Sequence, residues 1–173
     1  MGKPEKTILP GFLMADLYRN NLVIIDHGGQ NVEEKPSAPA NRQWWLGSNL
    51  QKITLLVNEK DTVFVGEASL QFLSAILGAC KRNLGDVAIV NMLNEAVTYP
   101  TIKEALQPQT LILFGVTARE AGLPFAIPHY QVQQYDSCNI LLAPALTAML
   151  GDSQEAKLEK SKLWLCLKKM FNL

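Results

Sequence analysis

No apolar run in this chain approaches the roughly 20 residues that a helix needs to cross a bilayer, so no membrane association is expected. Cysteine is scarce. Cys80, Cys138 and Cys166 are odd in number and far apart, with no CxxC pair and no Cys/His cluster. That spacing argues against a disulfide framework and against a zinc site, and reduced thiols fit the cytoplasm. Net charge is missing as well, since Lys plus Arg and Asp plus Glu number 16 each. A protein whose main partner is a phosphate backbone carries an excess of cations, so strong direct nucleic-acid binding is not expected. Near the start, Lys3 and Lys6 are followed by no continuous apolar stretch, because Pro10, Gly11 and Asp16 interrupt it, and no secretory leader is expected. There is no nucleophile elbow, no metal-ligand spacing and no glycine-rich phosphate cradle, so no cofactor or metal is expected. His27 precedes Gly28 and Gly29, but HGGQ lacks the spacing of a phosphate loop or a dinucleotide fingerprint.

What the chain does have is apolar material. Hydrophobic residues make up 48% and charged residues 18% of 173, enough for a real core in one domain. Residues 110–116 (TLILFGV) and 86–92 (DVAIVNM) are apolar runs without polar alternation. A strand with one wet face alternates, whereas a strand covered on both faces does not. Residues 51–57 (QKITLLV) and 137–142 (SCNILL) read as two further strands, and residues 63–65 extend or flank the first of them. Between them, helical spacing of Phe72, Leu73, Ile76, Leu77 and Cys80 predicts a helix from about 67 to 83, ended by Gly85. A second helix begins at Tyr99-Pro100 and stops at Pro108. A short helix over 145–150 and a long one to about Phe171 close the chain, the latter capped near Gly151-Asp152-Ser153. Residues 131–135 (QVQQY) have the pattern of an exposed piece. Strands buried on both faces and separated by helices predict a three-layer α/β/α sandwich. Its sheet is mainly parallel and four-stranded, in the spatial order second, first, third, fourth.

The first 49 residues read as an extension of the core at 50–171. Residues 12–19 can make two helical turns and 22–25 a short strand or an extended core-filling piece. Residues 26–41, rich in Pro, Gly and charge, are expected to be a flexible loop. Arg42, Trp44 and Trp45 are candidate partner-binding residues, because Trp and Arg are enriched in interface hot spots. Adjacent tryptophans on a strand point apart, so one can anchor the loop while the other lies at the surface. The alternative is that both pack under the preceding loop.

In a parallel sheet, ligands usually meet the carboxyl ends of the strands. There the sequence offers Asn58, Asn91, Asn94, Thr117, Pro144 and Thr147, which are poor proton carriers at neutral pH. Asp136 and His129 precede the fourth strand and are expected at the opposite end, and Arg119-Glu120 is expected to be an exposed pair. No catalytic residue is assigned.

The order of elements, with residues 141–146 (LLAPAL) running from the fourth strand into a proline-led helix, resembles the uracil-DNA glycosylase type of fold. Those enzymes place a catalytic histidine in that position, and this chain has none there. Residues 58–61 (NEKD) also depart from the glycosylases' Asp- or Asn-bearing loop. A closer likeness is to the psi subunit of bacterial DNA polymerase III, a non-catalytic relative on that fold. It rests on residues 143–146 (APAL), Asp152 and residues 162–164 (KLW), within a likeness over about 50–171. The resemblance implies a protein-interaction subunit, a DNA replication accessory protein whose partners are replication proteins. The first 49 residues do not match that family's clamp-loader-binding peptide. Two other readings stand beside it: a degenerate glycosylase-like enzyme with Asn58 and His129 as remnants, and a module binding a small molecule or nucleotide at the end of TLILFGV.

Overall fold

A computed structural model of the chain describes residues 43–173. The elements expected over 12–25, the loop at 26–41, His27 and Arg42 all lie outside the described residues. The described order is β1 (Ile53–Val57), α1 (Glu67–Ala79), β2 (Val87–Asn91), α2 (Tyr99–Leu106), β3 (Thr110–Phe114), β4 (Val132–Tyr135), β5 (Cys138–Ala143), α3 (Leu146–Met149) and α4 (Gln154–Phe171), with a 3-10 turn, Leu84–Asp86, ahead of β2.

The sheet is mixed and five-stranded, in the order β2-β1-β3-β5-β4. The pairs β2–β1, β1–β3 and β3–β5 are parallel, and β4 joins β5 antiparallel. The expected four-stranded sheet is thus corrected by one strand. Residues 131–135 are polar enough to look exposed, yet 132–135 form the sheet edge because Asp136 and Ser137 fold them back. Both residues take left-handed backbone (φ 53° and 63°), which is the two-residue hairpin turn whose twist suits flanking strands. The usual glycine is missing from that turn, so its signature is silent in the sequence.

All five residues of β1, β2 and β3 are buried, as unalternating runs require. Ile53, Leu55 and Val57 face α1 and α4, whose inward stripes are Leu73 with Leu77 and Leu163 with Leu167. Leu56, Val90 and Leu113 face α2 through Ile102 and Leu106. Each large side chain so buried contributes about 1.5–3 kcal/mol. Helix α1 ends earlier than its apolar spacing predicts, because Lys81 turns left-handed (φ 56°) just beyond it. Gly85 then falls in the 3-10 turn. Ser153 caps α4, its hydroxyl accepting from Ala156 N at 3.1 Å. Residues 63–65 do not extend β1; they belong to the loop that follows it.

Thr54 is fully buried in β1, and its hydroxyl has no hydrogen-bond partner among the described residues. An unpaired buried hydroxyl is a standing cost. Thr54→Val, which keeps the shape, is expected to raise unfolding stability by about 1 kcal/mol. A higher urea midpoint at unchanged slope would show it, and a lower midpoint would mean that the hydroxyl is paired.

Candidate functional site

The site is built at the carboxyl ends of β1, β2 and β3. Helix α1 leaves β1 on one face of the sheet and α2 reaches β3 on the other, so the crevice between β1 and β3 is where the winding reverses. Ligands of open α/β sheets collect at such points. Here the crevice measures about 280 Å³ and is lined by Asn58, Met92, Leu93, Val97, Val116 and Glu120, among others. That volume is at the small end of ligand pockets. Its one carboxylate, Glu120, is already engaged. One oxygen accepts from Thr117 N and from the Thr117 hydroxyl, each at 2.7 Å, and the backbone bond is the main reason that its pKa is lowered. Glu120 is therefore tied to Thr117.

Two asparagines shape the ground beside this crevice. Asn91 is 1% exposed at the end of β2. Its Nδ2 donates to Glu59 O at 2.8 Å and Thr62 O at 3.2 Å. Its Oδ1 accepts from Glu59 N at 3.3 Å and Leu93 N at 3.2 Å. Asn94 Nδ2 donates to Thr62 O at 2.6 Å and Val63 O at 2.8 Å. From the other side, the Glu59 carboxylate accepts from Gly66 N at 2.6 Å and from the Ser69 hydroxyl, which also quiets the start of α1. The loop at 58–66 is thereby fixed in shape without regular structure.

A cleft of about 680 Å³ opens beside that loop. Its walls come from three stretches of chain: Gln43 and Trp44, residues 61–64, and Asn94 with Glu95. Trp44 and Trp45 are both half-buried and packed on the α2 face of the core. Their rings meet edge to face, 5.0 Å apart at 84°. Neither lies wholly at the surface, and only Trp44 lines the cleft.

Other sequence candidates scatter. Asn58 lines the crevice and His129 does not. His129 is exposed and bridges to Leu142, near the carboxyl end of β5 rather than the amino end expected for it. The reversal follows from β4, which runs antiparallel and places its approach beside the finish of β5. Asp136 sits in the turn ahead of β5, paired with Lys103. Burial raises the thiol pKa of Cys80 and Cys166 and pushes that of Cys138 up to about 12, so the thiols are held protonated at neutral pH. Among the described residues, no group of three or more His, Cys, Asp or Glu side chains is placed to hold a metal ion, and no helix is long and apolar enough to cross a membrane.

Asp61, Thr62, Phe64 and Glu95 were not singled out by the sequence. Phe64 reads as part of a piece extending or flanking the first strand and Asp61 as part of the polar loop after it, and only the fold brings these residues to Trp44. The chain matches no protein-family model and no curated protein.

Proposed function

We propose that this chain is a non-catalytic protein-interaction subunit, of the kind that the psi subunit of DNA polymerase III represents in bacterial replication. The observation that carries the reading is the crevice at the winding reversal. It is small, mostly apolar, and its carboxylate is held by Thr117. Close by, a broader cleft presents a half-buried tryptophan. Tryptophans of this kind anchor protein partners more often than they take part in proton transfer. The finer likeness to the uracil-DNA glycosylase type of fold draws support from the four parallel neighbours β2, β1, β3 and β5. It also draws support from the passage of β5 through Pro144 into α3. A nucleotide is disfavoured at the broader cleft, because a phosphate there would face Asp61 and Glu95.

The test presents purified bacterial polymerase III accessory subunits to the full chain on a biosensor. A complex is expected, and Trp44→Ala is expected to weaken it about thirtyfold, the loss typical of a hot spot worth about 2 kcal/mol. No complex at micromolar concentrations would remove the replication role. Uracil excision by the purified chain would overturn the non-catalytic reading.

A further inference from the structure

We infer that the cleft beside Trp44 is a receptor for a basic side chain, arginine in particular, presented by a partner protein. Its charge is one-sided: Asp61 and Glu95 line it, with no cation among the described lining residues. Its surface is divided in character. Trp44, Val63 and Phe64 supply apolar wall, while Gln43, Asn94 and the two carboxylates supply acceptors. A side chain with an apolar stem and a cationic head matches that division, whereas a small inorganic cation leaves the apolar wall unused. Tryptophan is also the aromatic ring with the strongest attraction for a cation.

Arginine fits better than lysine. Asp61 and Glu95 set two carboxylates on different stretches of the cleft wall. Asn94 directs its amide N–H groups at the Thr62 and Val63 carbonyls, so its Oδ1 stands available as an acceptor. Two carboxylates and an amide oxygen make a spread of acceptors, which five fixed N–H donors satisfy better than one compact ammonium. The loop is also formed before any partner arrives, because Asn91 and Asn94 hold it. Prior order lowers the entropy lost on binding. The inference rests on the proposed function only for the source of the arginine; the recognition chemistry belongs to the cleft.

The experiment titrates the full chain with N-acetylarginine amide and follows the Thr62 and Asn94 amides and the Trp44 indole N–H by NMR. The controls are N-acetyllysine amide, N-acetylcitrulline amide, which keeps the shape without the charge, and N-acetylglutamate amide. Saturable shifts at those three groups are expected with arginine. The lysine and citrulline probes are expected to bind at least about fivefold more weakly, and the glutamate probe not at all. Raising salt from about 50 to about 500 mM should erase the advantage over citrulline. The double variant Asp61→Asn with Glu95→Gln should erase it too, and asparagine tolerates the left-handed backbone at position 61 (φ 61°). Equal binding of arginine and citrulline, or a preference that survives the double variant, overturns the inference. If arginine binds and no replication subunit does, the receptor stands and the replication role falls. If a subunit binds the double variant undiminished while the arginine probe gives no shifts, the role stands and the receptor falls.

Discussion

Gly47→Ala is expected to unseat the strip of chain that closes the outer edge of β2. Gly47 has φ +101°, and a Cβ there would lie 2.2 Å from Val87 O and 2.7 Å from Leu84 O. Both are backbone atoms, so no rotamer change relieves the clash. The strip is held by paired bonds between Leu46 and Ile89, each 2.8 Å, and by Asn49 N and Gln51 N donating to Val87 O and Asp86 O. Asn49 Nδ2 adds a bond to Leu106 O at 2.8 Å. Overpacking and left-handed strain each cost about 1–3 kcal/mol. A loss of about 3 kcal/mol is therefore expected, either across the whole fold or by local release of the strip. Hydrogen exchange separates the two. The Ile89 amide, which donates to Leu46 O, should lose protection in either case, whereas an interior β1 amide such as Leu55 keeps it if release is local. A bared β2 edge also invites pairing with a second molecule, so self-association should rise with concentration. Unchanged urea midpoint together with unchanged Ile89 protection would refute this account of the edge.

Asn91→Ala should have the next largest effect. It removes four hydrogen bonds from a residue that is 1% exposed. Some of the freed groups regain water, since the loop lies near the surface, so the net loss is set at about 2–3 kcal/mol by urea unfolding. Asn91→Asp sharpens the claim. A carboxylate cannot donate, and it would face the Glu59 and Thr62 carbonyls from a buried position. Its folded pKa should therefore be raised above the unfolded value. A raised folded pKa means that the penalty is full at neutral pH and shrinks as pH falls through that value. The aspartate variant should be the weaker of the two at pH 7 and regain ground on the alanine variant near pH 4. Parallel pH profiles would show that the amide hydrogens do not matter. Arginine binding in the cleft should suffer in both variants, since Thr62 is positioned through Asn91.

The parts of this fold that were legible in the sequence are those where burial is continuous. TLILF and VAIVN carry no polar alternation, and that alone reports a strand covered on both sides. The Leu73–Leu77 and Leu163–Leu167 stripes likewise report their helices. What stayed hidden is held by single contacts or by backbone shape. The Asp136–Ser137 turn has the right dihedrals without the usual glycine, so β4 passed for surface. The strip at 46–51 closes an edge through main-chain bonds that leave no side-chain pattern. Asn91 reads only as a strand-end group unsuited to proton transfer, and it works as an anchor. The cleft joins Trp44 to Asp61 and Glu95 across long intervals of chain, and no local motif spans them. Of the partner-binding candidates, Trp44 lines that cleft, Trp45 braces it edge to face, and Arg42 lies outside the described residues.

A sheet covered on both sides carries a particular hazard. When one side is wet, sliding a strand by a single residue exchanges greasy and polar sides and is rejected at once. Here both sides of β1, β2 and β3 are greasy, so the same slide would swap one oily surface for another. Asn91, matched to Val57 at the far end of β2, supplies the missing veto. Pulled one place inward it would strand an amide in oil, and pushed outward it would let go of the loop beneath it. One side chain thus keeps β2 in step with β1, a task that water performs for sheets with an open side.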